Sequence, residues 1–303
     1  MNGSPIGSVE YRIEVKTPLL LHGSDPRGAA EMRTPPIRGV LRYWLRAAVR
    51  GAGGDDRTVR SVEQSLFGAA GDSGSQSSAI RTLLVGVGTM RHDSFRVLPH
   101  SGDREKRETK FQGIAPRARM TCRLVRRPGT SDQIWRLAQA LVPAALSLGG
   151  VGMRSRRGFG TLKVNDAPPV VDAIRQVREL VAALIRPGAV QGTLANVPRL
   201  NEDNCVVLEG VRATGQPPSF DEMLTTLMKV MHAAHQNGAA GATFGRVARN
   251  VREASAIHVR ILPDEGKFRL TVFRLGDANR VITQMKDLRG QLNLQSVWGN
   301  PWF

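Results

Sequence analysis

Gly149-Gly150-Val151-Gly152-Met153-Arg154-Ser155-Arg156-Arg157-Gly158-Phe159-Gly160 joins an apolar run that reads as a helix to a short run that reads as a strand. Glycines let backbone amides come close to a phosphate chain, and the three arginines among them neutralise it. Gly150, Gly152, Arg154, Ser155, Arg156, Arg157 and Gly158 are therefore candidate phosphate-binding positions, set against the plainer reading of a tight turn with incidental arginines. The order helix-loop-strand excludes a dinucleotide-binding fingerprint, and no Gly-Lys-Ser/Thr follows to make a P-loop.

Immediately upstream, Ser131 or Asp132 caps a helix from Gln133 to about Leu148; downstream, Gly158 to Val164 makes a strand. Further out, Val9 to Leu21 opens with an apolar-polar alternation, which is a strand period. Leu41, Trp44, Leu45 and Ala48 repeat at helical spacing within Ile37–Arg50, with Pro35-Pro36 just ahead. Two strand-like stretches, Arg81 to Met90 and Arg119 to Val125, flank a polar insertion from about His100 to Pro116. The order is β-α-β-β-α-β. Gly68 to Ser78, rich in Gly and Ser, is expected to be a mobile surface loop.

Composition shifts at Asp166-Ala167-Pro168-Pro169, which sets expected domains at 1–168 and 169–303. The second half starts with a helix at Val171–Ile185 and a strand at Cys205–Val211. Ser219 and Glu222 form a capping box for a helix from Phe220 to His235. Ala256–Leu262 and Phe268–Leu275 flank a hairpin turn at Pro263-Asp264-Glu265-Gly266, and a short helix at Arg280–Leu288 closes the series. This is a degenerate β-α-β-β-α copy of the first half. The expected class is α+β, two tandem ferredoxin-like (βαββαβ, RRM-like) domains.

Charge narrows the partner. The 303 residues carry 43 Lys+Arg against 26 Asp+Glu, a net +17, and Arg supplies 36 of the cations. Such a surplus points to a polyanion, and guanidinium groups suit phosphates and bases. Residues 91–160 hold 15 basic against 5 acidic residues, so the excess is concentrated in the first half. Lys110 and Phe111 in the insertion, with Arg117 and Arg119 just beyond it, belong to this segment. On the first helix Arg38, Arg42, Arg46 and Arg50 form an i, i+4 stripe that either follows a nucleic-acid backbone or is an ordinary solvated face. Trp44 has core spacing, whereas Phe111 and Phe159 are placed where a base could stack.

No apolar run is long enough for a membrane span, and the N-terminus has no signal-peptide pattern, so a cytoplasmic protein is expected. Cys122 and Cys205 make no disulfide framework and have no metal-ligand spacing; neither a metal nor another cofactor is expected.

Three stretches carry a family resemblance: Thr17-Pro18-Leu19-Leu20-Leu21-His22-Gly23, then Arg33-Thr34-Pro35-Pro36-Ile37-Arg38-Gly39-Val40-Leu41-Arg42-Tyr43-Trp44-Leu45-Arg46, then Ser65-Leu66-Phe67-Gly68. They resemble the opening of RAMP-superfamily CRISPR proteins, and residues 149–160 resemble that superfamily's G-rich loop. In combination the chain is most similar to the subunit-1 proteins of the type III-B (Cmr) effector. Phe244-Gly245 and Arg252 to Arg260 resemble the second-domain signature of those proteins more loosely. The resemblance implies a subunit without catalysis of its own that holds the 3′ region of the crRNA and captures single-stranded target RNA. Its partners would be the RAMP backbone and small subunits of the Cmr complex, and Arg33 joins the candidate RNA contacts through the matched motif.

Two other functions compete. Asp25 lies in the loop where backbone RAMP subunits carry a cleaving aspartate, but Ser24, Pro26 and Arg27 beside it bring no second carboxylate. His22 and His100 lie near the basic elements and would serve a metal-independent repeat-cutting endoribonuclease of the same superfamily; His232 and His235, three apart on a helix, lack a carboxylate partner. A stand-alone single-stranded RNA binder is the third reading, disfavoured by only 15 aromatic residues in the chain.

Overall fold

A computed structural model describes residues 7–25, 28–71, 74–88, 90–98, 105, 108–185, 197–211, 218–236, 246–248, 251–253, 255–275, 285–286 and 288–303. The class is α+β, with every sheet antiparallel. In chain order the first half runs β1 (Ser8–Val15), α1 (Thr34–Gly51), α2 (Asp56–Phe67), β2 (Ala69–Gly71), β3 (Gly74–Gln76), β4 (Ile80–Val85), β5 (His92–Arg96), β6 (Lys110–Ile114), β7 (Arg119–Arg126), α3 (Asp132–Leu148) and β8 (Leu162–Val164). Then come α4 (Val170–Ala182), β9 (Cys205–Val211), α5 (Phe220–Gln236), β10 (Arg246–Ala248), β11 (Val251–Glu253), β12 (Ile257–Leu262), β13 (Lys267–Phe273) and β14 (Gln295–Trp298).

The first sheet is ordered β4-β7-β1-β8 and the second β12-β13-β9-β14. Numbering the four strands of each sheet by appearance, both orders are second-third-first-fourth. Each sheet therefore has the same winding, with one helical connection between its first and second strands. Alternation fixes the faces: Ile13 and Val15 of β1 and Met120, Cys122 and Leu124 of β7 are buried with α1 and α3, while Glu10, Arg12, Arg119 and Arg123 point the other way.

The second sheet is buried on both faces. Val206, Leu208, Ile257, Val259, Leu270 and Val272 pack with Met223, Leu224 and Leu227 of α5. Cys205, Val207 and Phe273, on the opposite face, belong to the core of the first half. Here the sheet meets the end of α3. Arg269 and Arg260 both donate to Ser147 O (3.0 and 2.9 Å), Arg260 also to Leu162 O (2.6 Å), and Thr271 Oγ1 donates to Leu148 O (3.0 Å). Cations at the carbonyl end of a helix meet both its orphan acceptors and its dipole. Arg260 is only 3% exposed, and burial beside Arg269 pushes its pKa down to about 9.

Several expectations change. The first strand stops at Val15; Lys16 to His22 instead runs beside the glycine loop and β6, with Leu19 and Ile114 exchanging backbone hydrogen bonds of 3.0 Å. A helix that the sequence pattern did not announce, α2, starts at an Asp55 cap whose carboxylate accepts from Thr58 N at 2.7 Å. Two short paired strands, β2 and β3, stand where a mobile loop was expected over 68–78. β5, just ahead of the insertion, pairs antiparallel with β6 inside it. The second sheet gains β14, a fourth strand that the β-α-β-β-α reading lacked. Of the helix expected at Arg280–Leu288, residues 280–284 and 287 lie outside the described residues, as do His100, Phe244 and Gly245.

Candidate nucleic-acid interface

The glycine loop is tied to its own chain at almost every turn. Val151 N donates to Gly160 O, Met153 N to Leu20 O and Gly160 N to Pro18 O, at 2.8–2.9 Å. Gly160 has φ 62°, and a Cβ there would stand 1.8 Å from Val151 O; a Cβ on Gly152, at φ 86°, would stand 2.6 Å from Leu20 O. Gly160 is thus required by the close approach of the two ends of the loop, and Gly152 by its passage past Leu20, which replaces phosphate approach as their primary reason. Thr17 Oγ1 closes the loop by donating to Gly158 O at 2.7 Å and accepting from Thr161 N at 2.9 Å.

Within the loop the three arginines part company. Arg156 stacks over the Tyr43 ring at 5.4 Å and donates to Ser255 O at 2.5 Å. Arg157 is held against Met231 Sδ at 3.6 Å, its pKa pushed down to about 10 by burial and then by Arg154. Both side chains are committed to the second half, so the expectation of three arginines facing a ligand is corrected to one. Arg154, in a left-handed conformation at φ 58°, is that one: its pKa is lowered by burial, and its guanidinium has no hydrogen-bond or ion-pair partner among the described residues. Phe159 is fully buried and meets Phe220 edge-on at 5.4 Å, so it is core and not a stacking platform. Ser155 stays half-buried in the 3-10 turn Ser155–Arg157, while Gly150 and Gly158 are buried.

Beside Leu20 the chain continues to His22, where other candidates gather. Arg33 Nη2 donates to His22 O at 2.5 Å, His22 Nε2 to Gln112 O at 2.8 Å, and the His22 and Phe111 rings lie 6.3 Å apart. Phe111 is half-buried against the second core cluster, and with exposed Lys110 it lines a cleft of about 390 Å³ together with Ser94, Thr109 and Gln112. Arg154, Arg33, Lys110 and Phe111 thus share one side of the molecule, strung along residues 20–22.

The remaining candidates lie elsewhere. Arg42 and Arg46 share Glu63 of α2 (3.4 and 2.9 Å), and Arg38 donates to Phe67 O at 3.1 Å; the guanidinium groups of Arg38 and Arg42 also lie over the Phe67 ring. The α1 stripe is therefore a seam between two helices. Arg38 nevertheless sits among cations: its pKa is lowered by burial and then by Arg42 and Arg127. Arg117, at φ 72°, is exposed at the mouth of a cleft with Lys16, Pro218, Ser219, Phe220 and Asp264, and Arg119 stands on the open face of the first sheet. The basic candidates of the first half thus fall in three separate regions.

Trp44 is core, as its spacing implied, and it marks a joint that the sequence pattern did not reveal. Trp44, Tyr43 and Phe273 surround His258, whose Nε2 is 2.9 Å from Tyr43 Oη; burial and then Arg156 hold this imidazole's pKa well below its ordinary value. A second missed residue is Glu31, whose carboxylate lies against Gly23, brought back to the Asp25 loop by the His22–Ala30 bridge. Among the described residues no group of three His, Cys, Asp or Glu side chains is placed to hold a metal ion, and no helix is long and apolar enough to cross a membrane.

A family model for the RAMP superfamily matches residues 12–163, a span that starts in β1 and ends in β8. The chain belongs to the RAMP superfamily. Two curated Pyrococcus furiosus proteins are similar to this RAMP chain. CRISPR system Cmr subunit Cmr1-2 is 27% identical over 178 residues, covering 51% of this chain and 93% of the relative. Cmr subunit Cmr1-1 is 27% identical over 165 residues, covering 51% of this chain and 47% of the relative. Among solved structures, the apo crystal structure of Cmr1 from Pyrococcus furiosus matches 97% of this chain and 99% of its own with TM-score 0.60 at 18% identity. A chain from a cryo-EM structure of the type III-B Cmr-beta complex bound to cognate target RNA matches 95% of this chain and all of its own with TM-score 0.57 at 9% identity. These structures share the fold.

Proposed function

We propose that this chain is a non-catalytic, RNA-binding subunit of a type III-B CRISPR effector, which holds the 3′ region of the crRNA and helps capture target RNA. The observation that carries the reading is the side of the molecule where Arg154, its guanidinium without a partner among the described residues, stands beside Leu20–His22, with Arg33, Lys110 and Phe111 following. Guanidinium and ammonium groups there grip phosphates, and a half-buried phenyl ring offers a face to a base. The Cmr names of the curated relatives support membership of a Cmr complex, and the cognate target RNA bound to the Cmr-beta complex of a structural neighbour supports target RNA as a partner. The protein would read backbone and shape while base pairing between guide and target reads sequence.

Architecture enters the same proposal. The shared second-third-first-fourth order of two antiparallel sheets supports tandem ferredoxin-like domains divided near residue 168. No aromatic residue stands among the described residues of the open face of the first sheet, so the stacking mode of an RRM does not apply there. For the same reason the stand-alone binder is the weaker reading. Against repeat cutting, the His22 ring is committed to the Gln112 carbonyl.

Fluorescence anisotropy of a labelled single-stranded RNA over a salt series tests the reading. Arg154→Ala should weaken binding and flatten the log-log salt slope by about 0.7 for the lost contact, with an unchanged melting temperature. Unchanged affinity and slope would reject this side of the molecule as the interface.

A further inference from the structure

The two sheets repeat a residue pattern on the face turned away from their own helices. In the second sheet Arg269 and Thr271 stand on β13, with Glu209 directly across on β9. In the first, Arg119 and Thr121 stand on β7, with Glu14 directly across on β1. Both pairs lie on the third strand, both read Arg-apolar-Thr, and both carboxylates belong to the first strand.

The environments differ. In the second sheet the pattern grips a helix end: Arg269 and Thr271 donate to Ser147 O and Leu148 O while Glu209 steadies Arg269 at 2.6 Å. In the first sheet Glu14 is drawn instead to Lys16 at 2.8 Å, and the Arg119 and Thr121 side chains have no hydrogen-bond partner among the described residues. No described helix packs on this face. It also carries exposed Arg81, half-buried Leu83, Val85 and Val125, and Val87 beyond β4 at 46% exposure.

We infer that the open face of the first sheet docks the C-terminal end of a helical layer from a neighbouring protein subunit, with Arg119 and Thr121 capping its terminal carbonyls as Arg269 and Thr271 cap α3. The charge is complementary, because the carbonyl end of a helix is negative and Arg119 is an unspent cation. Leu83, Val85 and Val125 supply the apolar floor that a helix requires and a phosphate chain does not. The inference rests on reading the chain as a subunit of a multiprotein complex, and it assigns Arg119 to protein and not to RNA.

Photo-crosslinking tests it in the co-expressed, RNA-containing effector complex, with p-benzoylphenylalanine placed at Thr121 and the linked peptide identified by mass spectrometry. Linkage to the last turn of a helix in another subunit is expected. Linkage to RNA, linkage to a second copy of this chain, or no protein adduct would overturn the inference. In parallel, Arg119→Glu should reduce incorporation of this chain into the purified complex by about tenfold, on the scale of a lost charge-assisted hydrogen bond. Its RNA affinity as an isolated chain should stay unchanged, and Arg119→Ala with an unchanged melting temperature serves as the folding control. Full incorporation of Arg119→Glu would overturn the docking assignment. Loss of RNA binding by Arg154→Ala is read on the isolated chain, so the two readings fail separately.

Discussion

Removing Arg260 probes how the two halves are joined. The side chain is 3% exposed and donates to Leu162 O at 2.6 Å and Ser147 O at 2.9 Å. Hydrogen bonds from charged groups contribute about 1.5–3 kcal/mol each. Arg269 still reaches Ser147 O at 3.0 Å, so Arg260→Ala leaves chiefly Leu162 O without a donor, together with a cavity. Against this loss stands relief from burying a cation next to Arg269, the same cost that pushes the Arg260 pKa down to about 9. The net destabilisation should be about 2–4 kcal/mol, short of the cost of a stranded buried charge because no anion is orphaned. At about 2–4 °C per kcal/mol for chains of this class, the melting temperature should fall by about 5–15 °C. Arg260→Met, which keeps volume and drops the charge, should cost less, about 1–2 kcal/mol. Thermal melts by circular dichroism, with limited proteolysis at 165–204 as a readout of opening, measure both. An Arg260→Ala protein melting within about 2 °C of the parent would refute the clamp, since a single surface substitution does no more than that.

Other expectations follow from the same geometry. Gly160→Ala places a methyl group 1.8 Å from Val151 O at φ 62°, so a large drop in soluble yield is expected, read by expression and melting; a protein as stable as the parent would refute the required close passage. His258 is neutral when folded and protonates more readily when unfolded. Its contribution is therefore complete above the ordinary histidine pKa of about 6.5 and is lost as pH falls below that; His258→Gln should flatten this part of the stability-pH curve measured by urea melts. Arg156→Ala should lower the melting temperature through loss of the Tyr43 stack and the Ser255 bond, in contrast to Arg154→Ala, which should not. Finally, purified protein incubated with labelled target or repeat RNA, with and without divalent metal, should leave both intact; specific cleavage abolished by Asp25→Ala or His22→Ala would overturn the non-catalytic proposal.

Long elements with strong periodicity were legible. Leu41, Trp44, Leu45 and Ala48 announced α1, and Cys205–Val211 was read to the residue as β9. α2 went unread: Asp55 caps it and Val59, Val62 and Leu66 have helical spacing, but those few apolar residues stand among charged and polar neighbours that hid the period. β14 has only four residues between Asn293 at φ 48° and Gly299 at φ 80°, too few for alternation to register. At the site, residue type identified basic loops, yet nothing in spacing tells which guanidinium is spent on the chain itself. Arg156 and Arg157 follow Ser155 in sequence and are fixed by Ser255 and Met231, about 75–100 residues away. Long-range partners of that kind are a property of the packed chain, not of the local string.

A sheet clasped between two helical layers also limits how this molecule can be taken apart. A fragment ending near residue 168 would leave the α3 terminus and the Tyr43–Trp44 surface bare, and its complement would show water the row Cys205, Val207 and Phe273. Neither piece would be a faithful miniature of its half, so studies that seek a minimal RNA-gripping module should begin from the intact polypeptide and alter it one side chain at a time.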